Sequence, residues 1–157
     1  MLNLSILQYS IEMSSQELIR REEGYFLVRS SWVCLLSAVY AAYRDHWSLV
    51  PVSAGVLVTS WIYWSEPNTA WKRKLDMTYV MSSFMYQNAM VWNAEYALPY
   101  YTLSAITCAL YPISNQLFRA GYRWESIYTH AVMHTLACVC NLILYSGCLS
   151  DCNLKKD

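Results

Sequence analysis

The sequence contains little charge and no surplus of either sign. Only 14% of its 157 residues are Asp, Glu, Lys or Arg, against roughly 25% in ordinary soluble domains, and 11 basic side chains balance 11 acidic ones. Without an excess of Lys and Arg to neutralise a phosphate backbone, nucleic acid is not expected as a partner. Glycine is scarce too, with 4 residues, and no phosphate loop, dinucleotide fingerprint or serine-hydrolase elbow occurs.

Apolar and aromatic side chains are abundant instead. Apolar residues make up 56% of the sequence, which includes 7 Trp and 14 Tyr. Because Trp and Tyr favour the interface between bilayer and water, this composition is typical of an integral membrane protein. A soluble helical protein is the alternative, since the mean hydropathy of +0.18 is low for a chain that lies mostly in lipid.

Charged residues divide the sequence into nearly uncharged stretches, each close to the roughly 20 residues that a helix needs to cross a bilayer. Their continuous apolar runs argue against the alternating strands of an outer-membrane barrel. We therefore predict an all-α fold, a polytopic transmembrane helical bundle with spans at about 25–43, 47–64, 76–93, 97–118 and 126–147. The bundle covers 25–149, preceded by a cytoplasmic segment 1–24 that would suit a helix lying on the membrane, and followed by a polar tail 150–157.

Lys and Arg are distributed unevenly between the two ends of the predicted spans. Cytoplasmic loops carry the excess of these residues, so the richer end is predicted to face the cytoplasm, with the N-terminus inside and the C-terminus on the far side. The richer end carries Arg20, Arg21, Arg29, Lys72, Arg73, Lys74, Arg119 and Arg123, and the other end carries Arg44, Lys155 and Lys156. Cys148 and Cys152, on the predicted far side, suit a disulfide and two free thiols equally well.

His130 and His134 are the sharpest local signal. They are four residues apart in the last predicted span, so their imidazoles project from one helix face, one turn apart. That geometry suits one metal ion, and zinc accepts imidazole readily, but a catalytic zinc usually takes three protein ligands. The two histidines therefore make an incomplete zinc site, and a hydrogen-bonded pair inside the bundle is the simpler interpretation.

Asp76 is the second signal, at the start of the third predicted span. Such a carboxylate can be solvated, cap its helix or pair with Arg73. A polar stripe at helical spacing begins with it and should face protein or a cavity rather than lipid. The stripe consists of Asp76, Tyr79, Ser83 and Gln87. The predicted topology brings the segment from Ser60 to Trp64, Asp76 and the two histidines to one end of the bundle.

Three motifs, taken in order, resemble a known signature. They are Ser60-Trp-Ile-Tyr-Trp64, Leu75-Asp76 and Tyr128-Thr-His130-Ala-Val-Met-His134. The chain resembles the superfamily of alkaline ceramidases, adiponectin and progestin receptors, and Per1-like lipid-remodelling proteins, whose signature is Ser-x-x-x-His, an Asp opening the next span, and a final His-x-x-x-His. The resemblance implies a helical bundle that binds zinc through three histidines and cleaves amide or ester bonds in lipids.

The resemblance also implies a role for each matching residue. Ser60 and Asp76 become the catalytic candidates, and His130 and His134 become zinc ligands. Asp76 would accept the proton of metal-bound water, and Ser60 would steady the oxyanion. This chain departs from the superfamily in two ways. Trp64 stands where the first zinc-binding histidine belongs, and about five spans are predicted where the superfamily generally has seven.

These departures decide the functional prediction. With only two imidazoles, Asp76 would itself have to ligate the metal, which would leave no obvious general base. We therefore predict an integral membrane protein with an incomplete zinc site, weakly active or non-catalytic, whose partners are membrane lipids. If it is active, it is a ceramidase-like, metal-dependent lipid hydrolase. The alternative is a structural or accessory subunit of a larger complex, with other membrane protein subunits as partners.

Overall fold

The computed structural model describes residues 19–92 and 94–149 of the chain. Within these ranges every regular element is an α-helix and no strand occurs, which confirms the predicted all-α class. The predicted polar tail 150–157 and residues 1–18 of the predicted N-terminal segment lie outside the described residues. The helices are α1 (Arg21–Ser31), α2 (Val33–Tyr43), α3 (Val50–Ser65), α4 (Ala70–Val91), α5 (Ala97–Arg119) and α6 (Arg123–Ser146).

α1 and α2 form one rod of 23 residues that is interrupted at Trp32. Two consecutive serines explain the interruption. Ser30 and Ser31 donate their hydroxyl hydrogens back to the carbonyl oxygens of Leu27 and Val28, at 2.9 and 2.8 Å. Such bonds compete with the regular backbone ladder and bend helices.

Two helices of the described chain are long and apolar enough to cross a membrane, namely the α1–α2 rod and α6. The central helix of a soluble protein would be mostly buried, but only 33% and 28% of the most apolar stretches of these two helices are buried. Large apolar side chains also remain exposed around the outside of the bundle. They include Leu36, Val39, Met85 and Leu98. α3, α4 and α5 coincide with the other three predicted spans, but none of them meets both the length and the hydropathy criterion for a membrane-spanning helix.

The helices pack as two pairs held together by the rod. α3 packs on α4, α5 packs on α6, and the α1–α2 rod packs on both α3 and α6. α4 and α5 are not among the extensively packed pairs. Two hydrogen bonds bridge them, from the Tyr111 hydroxyl to the Met77 sulfur at 3.6 Å and from the Tyr101 hydroxyl to the Asn88 carbonyl at 3.1 Å. α4 and α5 therefore pack less extensively on each other than the pairs named above.

The two ends of the bundle differ in charge and packing. We call the end where α1, α4 and α6 begin the basic end, because Arg73, Lys74 and Arg119 lie there, and the opposite end the far end. At the far end, Glu95 and Cys148 exchange two hydrogen bonds, at 3.0 and 3.1 Å. Cys148 is disulfide-bonded, and its predicted partner Cys152 lies outside the described residues. The largest apolar core is at the far end and comprises Ala41, Leu49, Val91, Tyr100, Cys140, Leu144, Tyr145 and Leu149.

Three members of the predicted polar stripe of α4 are buried, namely Asp76, Ser83 and Gln87. The fourth, Tyr79, is half-buried, and its hydroxyl donates to the Pro51 carbonyl of α3 at 2.8 Å. α4 begins at Ala70 and runs through the basic residues before Asp76. Lys and Arg are good helix formers whose long stems can carry the charge away from the bundle, so they do not end a helix. Asp76 therefore does not cap α4.

Candidate functional site

The carboxylate of Asp76 is held by two hydroxyl groups from α3. Thr59 Oγ1 and Ser60 Oγ each donate a hydrogen bond to Asp76 Oδ1 at 2.9 Å. Hydrogen bonds to a carboxylate are charge-assisted and fix its orientation. The pairing of Ser60 with Asp76 matches the sequence motif, whereas Thr59 was not singled out, because a threonine in an apolar helix carries no distinctive signal. Asp76 is buried, and no ion pair joins it to Arg73 within the described residues.

His130 and His134 lie against each other on α6, with ring centroids 4.9 Å apart. His134 is buried, and its Nδ1 lies 3.0 Å from Ser30 Oγ. Since the Ser30 hydroxyl hydrogen already points to the Leu27 carbonyl, we assign the hydrogen of this contact to His134 Nδ1. His134 then keeps a lone pair on Nε2. Ser30 was not predicted, because it is distant in sequence and its role depends on the break at Trp32.

Trp64 fills the space beside the two histidines. Its ring centroid is 5.0 Å from that of His130, with the rings nearly perpendicular, and it is buried. The end of α3 reaches this position because α1 has a glycine opposite it, where a Cβ at Gly24 would lie 2.8 Å from the Trp64 carbonyl oxygen. The indole N–H of Trp64 has no hydrogen-bond partner within the described residues.

These residues do not fit a zinc centre with three imidazole ligands. The indole nitrogen of Trp64 is a donor without a lone pair and cannot bind a metal. In the described ranges, no group of three or more His, Cys, Asp or Glu side chains is placed to hold a metal ion, so Asp76 does not complete a set with His130 and His134. His46 does not contribute either, because its ring packs near that of Tyr145 at the far end, with centroids 6.4 Å apart.

A cavity of about 760 Å³ adjoins this cluster at the basic end. Its wall is formed mainly by α3, α4, α5 and α6, with Leu27 of α1 and residues 67–69, and it includes both Asp76 and His130. Asp76 and His130, from distant parts of the chain, thus line a common space, whereas Ser60 and His134 are not among its lining residues. Trp64 lines it too, and Arg73, Lys74 and Arg119 contribute its basic residues.

A buried ion pair fastens the same end of the bundle. Arg123, at the start of α6, donates from Nε to Glu23 Oε1 at 2.8 Å and from Nη2 to Glu23 Oε2 at 2.6 Å. The Glu23 side chain is 1% exposed and also accepts the Arg20 backbone N–H at 2.8 Å. This pair ties α1 to α6, and sequence reasoning missed it because the two residues are 100 positions apart.

Comparison with protein-family models, with curated proteins and with solved structures finds no match for this chain. The resemblance to the lipid hydrolase superfamily therefore rests on the motif residues of this chain alone.

Proposed function

We propose that this chain is a multi-pass membrane protein that binds membrane lipid in the cavity beside α4 and α5 and does not hydrolyse it. In this proposal α3, α4, α5, α6 and the α1–α2 rod all cross the bilayer, with the basic end in the cytoplasm. The uneven distribution of Lys and Arg and the exposed apolar side chains around the bundle support this arrangement. α3 has 16 residues, a length of about 24 Å, so the bilayer would have to thin locally around it.

The observation that carries the proposal is the packing of Trp64 against His130. In the superfamily that the motifs resemble, a third imidazole belongs at this position and completes the zinc site. Here an indole ring lies 5.0 Å from His130 and supplies no lone pair. A chain with this replacement keeps the bundle and the bonds between Ser60 and Asp76 but lacks the group that would activate water.

The size of the cavity is the support for lipid binding without hydrolysis. Its volume of about 760 Å³ lies within the range of about 300–1,000 Å³ that is usual for ligand sites. It could hold the polar part of a lipid, whose acyl chains would leave between α4 and α5, which pack less extensively on each other.

Zinc content tests the loss of the catalytic centre. We expect the purified wild-type protein to contain far less than one zinc ion per chain by mass spectrometry, and Trp64→His to raise the content to about one, since three imidazoles then meet. Adding His130→Ala and His134→Ala to that variant should remove the metal, and Trp64→Phe is the matched control. Stoichiometric zinc in wild type that His130→Ala removes, together with cleavage of a lipid amide or ester, would instead establish a hydrolase.

Lipid retention tests the binding role. Asn115 lines the cavity, and its neighbour Gln116 is exposed on α5 outside it. Asn115→Trp should fill the cavity and reduce the lipid that co-purifies with the protein, and Gln116→Trp should not. If the two variants retain as much lipid as wild type, the cavity is not a lipid site, and a structural or accessory subunit becomes the better assignment.

A further inference from the structure

The cavity carries a charge pattern that indicates what kind of ligand enters it. Three cationic side chains contribute to its wall, Arg73 and Lys74 from α4 and Arg119 from the end of α5. All three are exposed, and none of them forms an ion pair within the described residues. The neighbouring Lys72, by contrast, is paired with Glu66 at 2.6 Å. The cavity thus gathers cations that no carboxylate of the described chain neutralises.

The negative charge of the cavity wall is small and already engaged. Asp76 is the one acidic residue among the lining residues, and its Oδ1 accepts the hydroxyl hydrogens of Thr59 and Ser60. The cavity therefore favours an anion near its basic residues.

A second, independent feature points to a ligand in the same place. The indole N–H of Trp64 is buried, with the residue 7% exposed, and lacks a partner within the described residues. A buried donor without an acceptor costs roughly 1–3 kcal/mol, so such groups usually have a partner in the functional state. Trp64 lines the cavity, so a shift of its ring would bring this hydrogen to a ligand oxygen there.

We propose that the cavity binds an anionic phospholipid of the surrounding membrane, with its phosphate group among Arg73, Lys74 and Arg119 and with an oxygen of the same lipid accepting the Trp64 N–H. This inference rests on the proposed lipid-binding function and adds the chemical class of the lipid. The basic end of a membrane bundle lies at headgroup depth, where Lys and Arg attract anionic lipids. Arg can also bind phosphate with two parallel hydrogen bonds.

The test compares two lipids with identical acyl chains, phosphatidic acid and phosphatidylcholine, offered together in mixed micelles to the purified full-length protein. Native mass spectrometry counts the lipids that remain bound. We expect wild type to prefer phosphatidic acid by at least about tenfold, and the triple variant Arg73→Gln/Lys74→Gln/Arg119→Gln to lose this preference. Arg20→Gln/Arg21→Gln/Arg29→Gln removes the same charge from the same end outside this cavity, and should keep the preference.

Two further arms separate the alternatives. Trp64→Phe should weaken retention of both lipids by about fivefold, because one hydrogen bond of about 1 kcal/mol is lost. Inorganic phosphate should not displace the bound lipid, and displacement would mean that the site recognises a free anion. If the triple variant does not fold, the preference of wild type must still decline as salt is raised.

The outcomes distinguish the inference from the function on which it rests. Equal retention of the two lipids by wild type, or equal losses in both triple variants, would overturn the anionic site and leave lipid binding intact. A wild-type protein that retains neither lipid would overturn the lipid-binding function itself.

Discussion

The two ends of the bundle differ in what surrounds their buried polar groups. At the far end, the Tyr145 hydroxyl is bonded to Ser53 Oγ at 2.9 Å and accepts the Gln87 amide N–H at 3.0 Å, deep within the largest apolar core. At the basic end, the Trp64 N–H has no partner within the described chain, and Asp76 lines a cavity. Polar groups that satisfy one another stabilise a fold, whereas polar groups left facing a cavity are available to a ligand.

The largest expected effect would come from breaking the ion pair that fastens the basic end. Glu23→Gln would leave the Arg123 guanidinium beside a neutral amide. Because the pair is largely buried, we expect the free energy of unfolding to fall by about 2–3 kcal/mol, somewhat less than for a fully buried pair. The measurement is denaturation of the purified protein in detergent, followed by circular dichroism.

Glu66→Gln is the matched control for that experiment. Its pair with Lys72 has the same 2.6 Å length, but the Glu66 side chain is 68% exposed. An exposed pair contributes less than about 1 kcal/mol because water and salt screen it. If the two variants were destabilised equally, the Glu23 pair would not hold α1 against α6 as the geometry indicates.

A smaller effect on stability would compare the polar groups of the two ends directly. Tyr145→Phe removes a hydroxyl and leaves Ser53 and Gln87 buried without their shared partner, which should cost about 1–3 kcal/mol. Trp64→Phe removes an N–H that has no protein partner in the described chain, and this gain offsets part of the void left by the smaller ring. In lipid-free detergent, Trp64→Phe should therefore be clearly less destabilising than Tyr145→Phe.

The opposite order would contradict this interpretation of the two ends. If Trp64→Phe lowered the free energy of unfolding as much as Tyr145→Phe, the indole N–H would already contribute to stability without a ligand. It would then not be a group that needs a ligand as its hydrogen-bond partner. The comparison should be repeated with phosphatidic acid present, where wild type should gain stability over Trp64→Phe because only wild type donates the indole hydrogen.

The sequence predicts one part of this architecture well, for a physical reason. In a long apolar stretch the backbone N–H and C=O groups need hydrogen bonds within the chain, and a helix supplies them. The helical segments and the buried stripe of α4 could therefore be located in advance. The contact between Ser60 and Asp76 could be predicted because both residues belong to the short motifs of the resemblance. The start of α4 at Ala70 could not be read from the span prediction, because Lys and Arg interrupt an apolar stretch without ending a helix.

The remaining contacts depend on packing that local sequence does not encode. Ser30 reaches His134 only because α1 meets α6 near a break in the rod, and Ser30 by itself looks like any serine in an apolar helix. The pairing of Glu23 with Arg123 joins helices at opposite ends of the chain. The position of Trp64 beside His130 could be anticipated only through the resemblance, whereas the lack of a partner for its N–H required the structure.

The smallest predicted effect concerns an unsatisfied group at the far end. His46 lies between α2 and α3, and its Nε2 is buried without a partner in the described residues. Burial lowers the pKa of His46, and a hydrogen bond with the Tyr145 backbone offsets only part of this change. Protonation would place a charged N–H where no acceptor is available, so the folded state prefers the neutral ring.

The sign of the pH dependence follows from that preference. Because the pKa of His46 is lower in the folded state than its unfolded value of about 6.5, its contribution to stability is complete above that pH and is lost as the pH falls toward the folded pKa. His46→Asn should flatten the decline in unfolding free energy below about pH 6.5 and leave lipid selectivity at the basic end unchanged. Parallel pH profiles for wild type and variant would show that the His46 ring is accessible to water, and the far end would then be less tightly closed than its hydrogen bonds indicate.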